Sequence, residues 1–286
     1  QMLRLTLPVA LSLLVLQISV MLDRGISLLL ASDAGQTHFE LMGSTFRYPM
    51  ATGAAARLTW AQFLYQFPLG VFAISLATAL FPRLSSDAAD ADRTQFRAAL
   101  RQGIQAALFI GLPASAGLII VRIPAVRLMF ERGQFTPQDT ILVARSTALY
   151  AAAIWAFSLQ QILNRAYYAL RDPITPLVWA LVNLAINLLV ELPLIWTGLG
   201  EAGMAAGTMV AFSVQAVAMV FMLDRKTGGM GLGQSLGPLA KMLAATLVMS
   251  AACLAVQYMP GYPDGRGMVA LVGQLASGLA HEIGTP

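Results

Sequence analysis

Apolar residues run along this chain in blocks too long for soluble core helices and too unbroken for half-buried strands. A helix needs about 20 mostly apolar residues to cross a bilayer. Eight stretches reach or approach that length: roughly 8–32, 58–82, 98–121, 140–163, 174–197, 202–223, 236–258 and 267–281, the last being the shortest. The breaks between them read "SDAGQTHFE", "RLSSDAADADR", "ERGQFTPQD", "RDPITP", "GLGEAG", "DRKTGGMGLG" and "MPGYPDGRG", all rich in turn-forming residues. None is long enough to be a soluble domain, and no heptad or short-period repeat interrupts the pattern. The pattern predicts an all-α fold, a polytopic membrane helix bundle with about eight transmembrane helices.

Composition supports this. The 286 residues are 57% hydrophobic and 11% charged, whereas soluble domains carry about 25% charged residues. The net charge of +4 is modest, and no basic patch is interleaved with aromatics, so nothing suggests nucleic acid as a partner. If the spans alternate sides, Arg4, Arg83, Arg93, Arg97, Arg101, Arg165, Arg171, Arg225, Lys226 and Lys241 share one side, against Arg47, Arg57, Arg122, Arg127, Arg132, Arg145 and Arg266 on the other. That excess places the first set, and both termini, in the cytoplasm. The Arg122–Arg132 stretch opposes the bias and is expected to be a surface amphipathic helix. Cys253 lies in an apolar run and reads as a small buried hydrophobe. His38 and His281 are far apart, so neither a zinc spacing nor a disulfide framework exists. No nucleophile–base pair, P-loop or paired catalytic carboxylates occur, and the chain is not expected to be an enzyme. It opens at Gln1, is apolar almost at once, carries no visible signal peptide, and reads as an internal piece of a longer protein.

Two spans carry polar stripes. In the first, Ser12, Ser19, Asp23 and Ser27 fall on one helical face, with Gln17 and Arg24 on a second stripe beside it. A carboxylate at the bilayer centre costs about 2.5–3.5 kcal/mol on insertion scales, so Asp23 requires a partner or a water-filled path. In the fifth span Asn183, Asn187 and Glu191 recur at i, i+4 and i+8. The next span opens with a GxxxG pair, Gly203 and Gly207, which permits close backbone approach, and Thr208 follows it. Asp23, Asn183, Asn187 and Thr208 offer only oxygen ligands, the kind hard cations such as Na+ take. Interhelical packing alone is the competing reading, with Asp23 paired to Arg24 or another helix.

Four loop-edge motifs, "QFPLGVFAISLATALFPRLS" (Gln66 to Ser85), "LMFERGQFTPQDT" (Leu128 to Thr140), "NRAYYALRDPITP" (Asn164 to Pro176) and "GLGEAGMAAGT" (Gly198 to Thr208), together resemble the MurJ/MviN family. That family flips the peptidoglycan precursor lipid II within the multidrug/oligosaccharidyl-lipid/polysaccharide superfamily. The resemblance covers nearly the whole chain and implies helices seven to fourteen of a fourteen-helix flippase. Residues 1–223 would be the second six-helix lobe, and 224–286 the final helix pair and a truncated tail. The implied partners are the lipid-linked precursor, membrane lipids and the N-terminal lobe of the same protein, which this chain lacks. The implied place is the bacterial inner (cytoplasmic) membrane, multi-pass, with a role in cell-wall synthesis by alternating access.

The resemblance also assigns residues. Some members hold a sodium ion between helix seven and helices eleven and twelve; the matching positions are Asp23, Asn183, Asn187, Thr208 and the backbone carbonyl of Met204. No cofactor is implied beyond such a bound Na+. The second Asn-helix position can be Asp in the family and is Asn187 here, which lowers the negative charge of the site. Before the "FPLG" turn the family usually carries an arginine thought to bind pyrophosphate, and Phe63 stands there in "WAQFLYQFPLG". Arg24, Arg57 and Gln66 are then the candidates for substrate contact. Arg24 would point to the cavity. Arg57 lies six residues before Phe63, about 9 Å along the helix and some 120° around it. Gln66 sits where some members carry Glu. Phe63 keeps open a superfamily exporter of another lipid-linked sugar or a drug. The tail "LASGLAHEIGTP" is similar to the phosphoacceptor box of sensor histidine kinases, with His281 as acceptor, which gives a sensor or scaffold as a more distant alternative.

Overall fold

The computed structural model describes residues 2–32, 38–41, 44–89 and 92–257. The chain folds as α1 (Met2–Leu29), a hairpin of β1 (His38–Leu41) and β2 (Ser44–Arg47), α2 (Ala54–Pro68), α3 (Ser75–Asp87), α4 (Thr94–Phe130), α5 (Pro137–Ala152), α6 (Ile154–Ala169), α7 (Ile174–Leu194), α8 (Glu201–Thr227) and α9 (Leu236–Gln257). Six helical stretches are long and apolar enough to cross a membrane, seven if the bent pair α5–α6 counts as one span. These match the first seven expected spans. The eighth, at 267–281, lies outside the described residues, as do His281 and the tail.

Local chemistry explains the joints. Pro68 lacks an amide proton, and the helix passes it through a π-helical stretch, Leu69–Ile74, rather than a break. The span expected at 140–163 is two helices meeting at Ala153 with a 42° bend. Its first half starts on the "TPQD" motif. Thr136 Oγ1 accepts from the Asp139 amide, the Asp139 carboxylate accepts from the Thr136 amide, and Pro137 occupies the first turn.

One expectation changes, and three loops take definite form. The Arg122–Arg132 stretch is no separate surface helix: α4 runs unbroken through 37 residues and includes Arg122 and Arg127, because Pro124 is accommodated within the helix. The loop 33–57 contains a two-stranded antiparallel hairpin, pairing His38 with Arg47 and Phe39 with Phe46, within a fold that is otherwise helical. In the loop "RDPITP" Asp172 pairs with Lys226 at the end of α8 and accepts from Thr175, while the backbone of Arg171 is left-handed at φ 56°. The turn "ERGQF" is an ordinary reversal in which Phe130 and Phe135 clasp Trp60, with ring centroids 4.6 and 6.2 Å away.

Two apolar clusters form the core. One gathers Phe96, Leu100, Ile162, Leu163, Met219 and Leu223; the other gathers Met50, Leu58, Tyr150, Ile195 and Met204. Many large apolar side chains point outward, including Leu28, Leu29, Leu189 and Leu247. In water such a surface would aggregate, whereas in hydrocarbon it is already solvated. α1 lies on α7, and α7 lies on α8.

Candidate functional site

The site begins with the polar face of α1. Ser12 Oγ donates to the Pro8 carbonyl and Ser27 Oγ to the Arg24 carbonyl, each at 2.8 Å, so these buried hydroxyls are satisfied within their own helix. Asp23 is the member of the stripe that reaches across. Its Oδ1 accepts from Asn187 Nδ2 on α7 at 3.2 Å. The same nitrogen donates to Glu191 Oε2 at 3.2 Å. Asn183, Asn187 and Glu191, spaced by four residues, are all buried.

Against these same residues of α7, α8 comes unusually close. A Cβ on Gly207 would lie 2.8 Å from Glu191 Cβ and 3.1 Å from Asn187 Oδ1. One on Gly203 would lie 2.8 Å from the backbone of Ile195 and Leu194. The GxxxG pair therefore seats α8 against the asparagine face. Thr208 Oγ1 donates to the Met204 carbonyl at 3.2 Å, so these two oxygens are adjacent.

Among the five residues expected to hold a cation, the structure thus joins Asp23 to Asn187 directly and Met204 to Thr208 directly, with Asn183 on the same buried face as Asn187. Several atoms there have no hydrogen-bond partner: Asn187 Oδ1, Glu191 Oε1 and Asn183 Nδ2. Buried polar atoms are nearly always paired, so orphaned acceptors beside a carboxylate are a place where a hard cation fits. Glu191 was visible in the i, i+4, i+8 pattern but not included among the ligands; full burial beside Asn187 is what sets it apart.

The three residues expected to contact substrate separate. Arg24 is exposed and has no ion-pair partner among the described residues; with Asp23, Gln62 and Tyr150 it lines a cavity of about 10 Å³. Gln66 is exposed on α2, as is Phe63, at 57% of its surface. Arg57 is 6% exposed and its guanidinium is already engaged. Nε and Nη2 donate to the two oxygens of Glu201 at 2.7 and 2.8 Å, and Nη1 donates to Asp139 at 3.3 Å and to the Thr52 carbonyl at 2.8 Å. This network ties the N-terminal ends of α2, α5 and α8 together, a structural task that its sequence position did not reveal.

The family profile described as "Lipid II flippase MurJ" matches residues 1–262. The chain belongs to the MurJ family. A probable lipid II flippase MurJ of Rhizobium meliloti is 33% identical over 187 residues, 65% of this chain and 35% of that protein. One from Rickettsia prowazekii is 36% identical over 159 residues, 56% of this chain and 31% of that protein. The chain spans about a third of the length of these MurJ relatives. A solved structure of lipid II flippase MurJ in an inward closed conformation superposes with a TM-score of 0.65 at 21% identity, covering 81% of this chain and 48% of that one. A MOP superfamily transporter from Pyrococcus furiosus superposes at 0.57 and 17% identity over 96% of this chain and 58% of that one. The MurJ architecture and its superfamily relatives therefore share this arrangement of helices.

Proposed function

We propose that the chain is the C-terminal part of a flippase that translocates lipid II across the bacterial inner membrane by alternating access, for cell-wall synthesis. The observation that carries the reading is the family match over residues 1–262. In this reading the exposed face of α1 and α2, with Arg24, Phe63 and Gln66, looks into a cavity completed by an N-terminal lobe. Arg24 supplies a cationic contact for the pyrophosphate headgroup, Gln66 an amide contact, and the polyprenyl tail stays among membrane lipids. No covalent bond is made or broken, so the protein is a transporter rather than an enzyme. Arg57 contributes indirectly, by holding the helix ends that frame α2.

Asp23, Asn183, Asn187, Thr208 and the Met204 carbonyl hold a hard cation, Na+ by family resemblance. A bound cation would neutralise the Asp23 carboxylate. Asp23 then keeps α1 docked on α7, and Asn187 couples that docking to the α7–α8 contact. The position of α1 is thereby linked to the coupling ion.

The test is complementation. The intact protein containing this chain should sustain growth of a strain depleted of its lipid II flippase, and Phe63→Arg should leave rescue intact or improve it. Failure of the membrane-inserted wild-type protein to rescue overturns the reading. Phe63, an exposed ring where the family carries arginine, favours one second reading: export of another lipid-linked sugar or a drug. In that case Phe63→Arg fails to produce rescue, and the wild type instead changes drug tolerance or surface glycan.

A further inference from the structure

A cleft of about 1130 Å³ lies between the start of α2 and the turn that joins α4 to α5. None of Arg24, Phe63 and Gln66 is among the described residues that line it, so it is separate from the cavity face. We infer that this cleft is a saccharide site on the outer side of the membrane, which takes the sugar rings of a lipid-linked headgroup as they leave the cavity. The inference rests on the flippase reading.

Its floor is Trp60. The ring of Phe130 meets the indole at 64° with centroids 4.6 Å apart, and that of Phe135 at 74° and 6.2 Å. Both contacts are edge-to-face, so neither ring lies flat over the indole, which stays 38% exposed. Around this floor stand Arg132, Gln134, Asp139 and Thr52. Hydrocarbon would leave those groups unsolvated, so this wall faces water rather than lipid tails. A pyranose ring has the matching shape, with C–H bonds on one face and hydroxyls around the edge. Stacked on Trp60, it covers a rigid apolar surface and turns its hydroxyls to the amide, carboxylate and hydroxyl of the rim.

Charge and position favour a headgroup sugar that bears an acid. Arg132 is exposed and makes no ion pair among the described residues. Its Nη2 donates to the Met129 carbonyl at 2.6 Å, and its other N–H groups suit a carboxylate. Arg57, also in the wall, is committed to Glu201 and Asp139. The basic-residue count that puts the 83–97 loop in the cytoplasm puts both walls of the cleft in the periplasm. The cleft is also continuous with the cavity face. Ala56, Trp60, Phe63 and Phe67 share one side of α2 and are all exposed. Trp60 is therefore both the floor of the cleft and the outer end of an aromatic stripe, and a sugar leaving Phe63 meets it about one helical turn further out.

The experiment is saturation-transfer NMR on the purified intact protein in amine-oxide micelles, whose headgroup carries no sugar. The probes are chitobiose, the soluble β-1,4 disaccharide of N-acetylglucosamine and N-acetylmuramic acid, and an alanine-rich peptide. The wild type should bind both disaccharides, the acidic one more tightly. Trp60→Ala should weaken both by about tenfold or more. Arg132→Gln should abolish the preference for the acidic disaccharide and leave chitobiose binding unchanged. Trp60→Phe, which keeps a smaller ring on the same floor, should fall between wild type and Trp60→Ala, and it decides the matter if Trp60→Ala fails to fold. Disaccharide binding that is absent in the wild type, or unchanged in the Trp60 variants, overturns the inference, as does binding of the peptide alone. Because binding is read without translocation, the two readings separate. Sugar binding at Trp60 in a protein that fails complementation overturns the flippase reading and leaves the saccharide site standing, whereas complementation without sugar binding overturns the saccharide site alone.

Discussion

Arg57→Met should destabilise the fold by about 3–5 kcal/mol, the usual cost of removing one partner from a buried ion pair. The magnitude follows from the geometry. The guanidinium binds both oxygens of Glu201 at 2.7 and 2.8 Å, with Arg57 6% and Glu201 4% exposed. Methionine keeps the stem but leaves the Glu201 carboxylate buried and unanswered. The leg to Asp139, whose side chain is 26% exposed, adds little, about 0.2–1 kcal/mol. Glu201→Leu alone should cost a similar amount by stranding the guanidinium. The double variant Arg57→Met/Glu201→Leu should recover most of the loss, because an apolar pair of similar volume often replaces a buried ion pair without net cost. The assay is a double-mutant cycle read from unfolding in mixed SDS micelles, with an expected coupling of at least about 2 kcal/mol. Costs that add within about 0.5 kcal/mol refute the reasoning, since Arg57 and Glu201 would then act independently. A double variant that is stable and still rescues a flippase-depleted strain removes Arg57 from the substrate contacts; one that is stable but fails returns it to them.

Gly203→Ala should cost about 1–3 kcal/mol by overpacking, because its Cβ would meet backbone atoms of Ile195 and Leu194 at 2.8 Å that have no freedom to move aside; a melting temperature equal to wild type contradicts the close α7–α8 seat. Burial opposes the charge on Asp172, but hydrogen bonds from Lys226 and Thr175 outweigh it and hold its carboxyl below the usual carboxylate range. A depressed folded-state value stabilises above the unfolded pKa of about 3.9 and is lost as pH falls through the lower folded value, so Asp172→Asn should flatten the acid limb of the stability curve below about pH 4. An unchanged acid limb in that variant rules this out. In a Cys253→Ala background, Tyr48→Cys should react with an impermeant maleimide in intact cells and Ser86→Cys should not, since the basic residues place the 83–97 loop in the cytoplasm. The reverse labelling pattern inverts the topology.

The sequence alone determined what depends on runs and periods. Apolar length sets the spans, because a backbone in hydrocarbon must satisfy its own hydrogen bonds as helix. The "TPQD" cap, the Pro68 irregularity and the asparagine stripe of α7 are equally local, and each stands where its residues put it. Resemblance to a family was legible because its motifs sit at the joints between spans. The tertiary structure decided everything that depends on which faces meet. Arg57 finds Glu201 across 144 residues and Asp172 finds Lys226 across 54, pairings that no helical period encodes. The bend at Ala153 arises with no proline at the joint, between two helices that both pack on α4. Glu191 shows the division most plainly. Its spacing marks it as one of a stripe, but whether a carboxylate is solvated, paired or left to bind an ion depends on the dielectric and donors around it. Those were fixed only when Gly207 let α8 close over α7 and α1 brought Asp23 to the same amide.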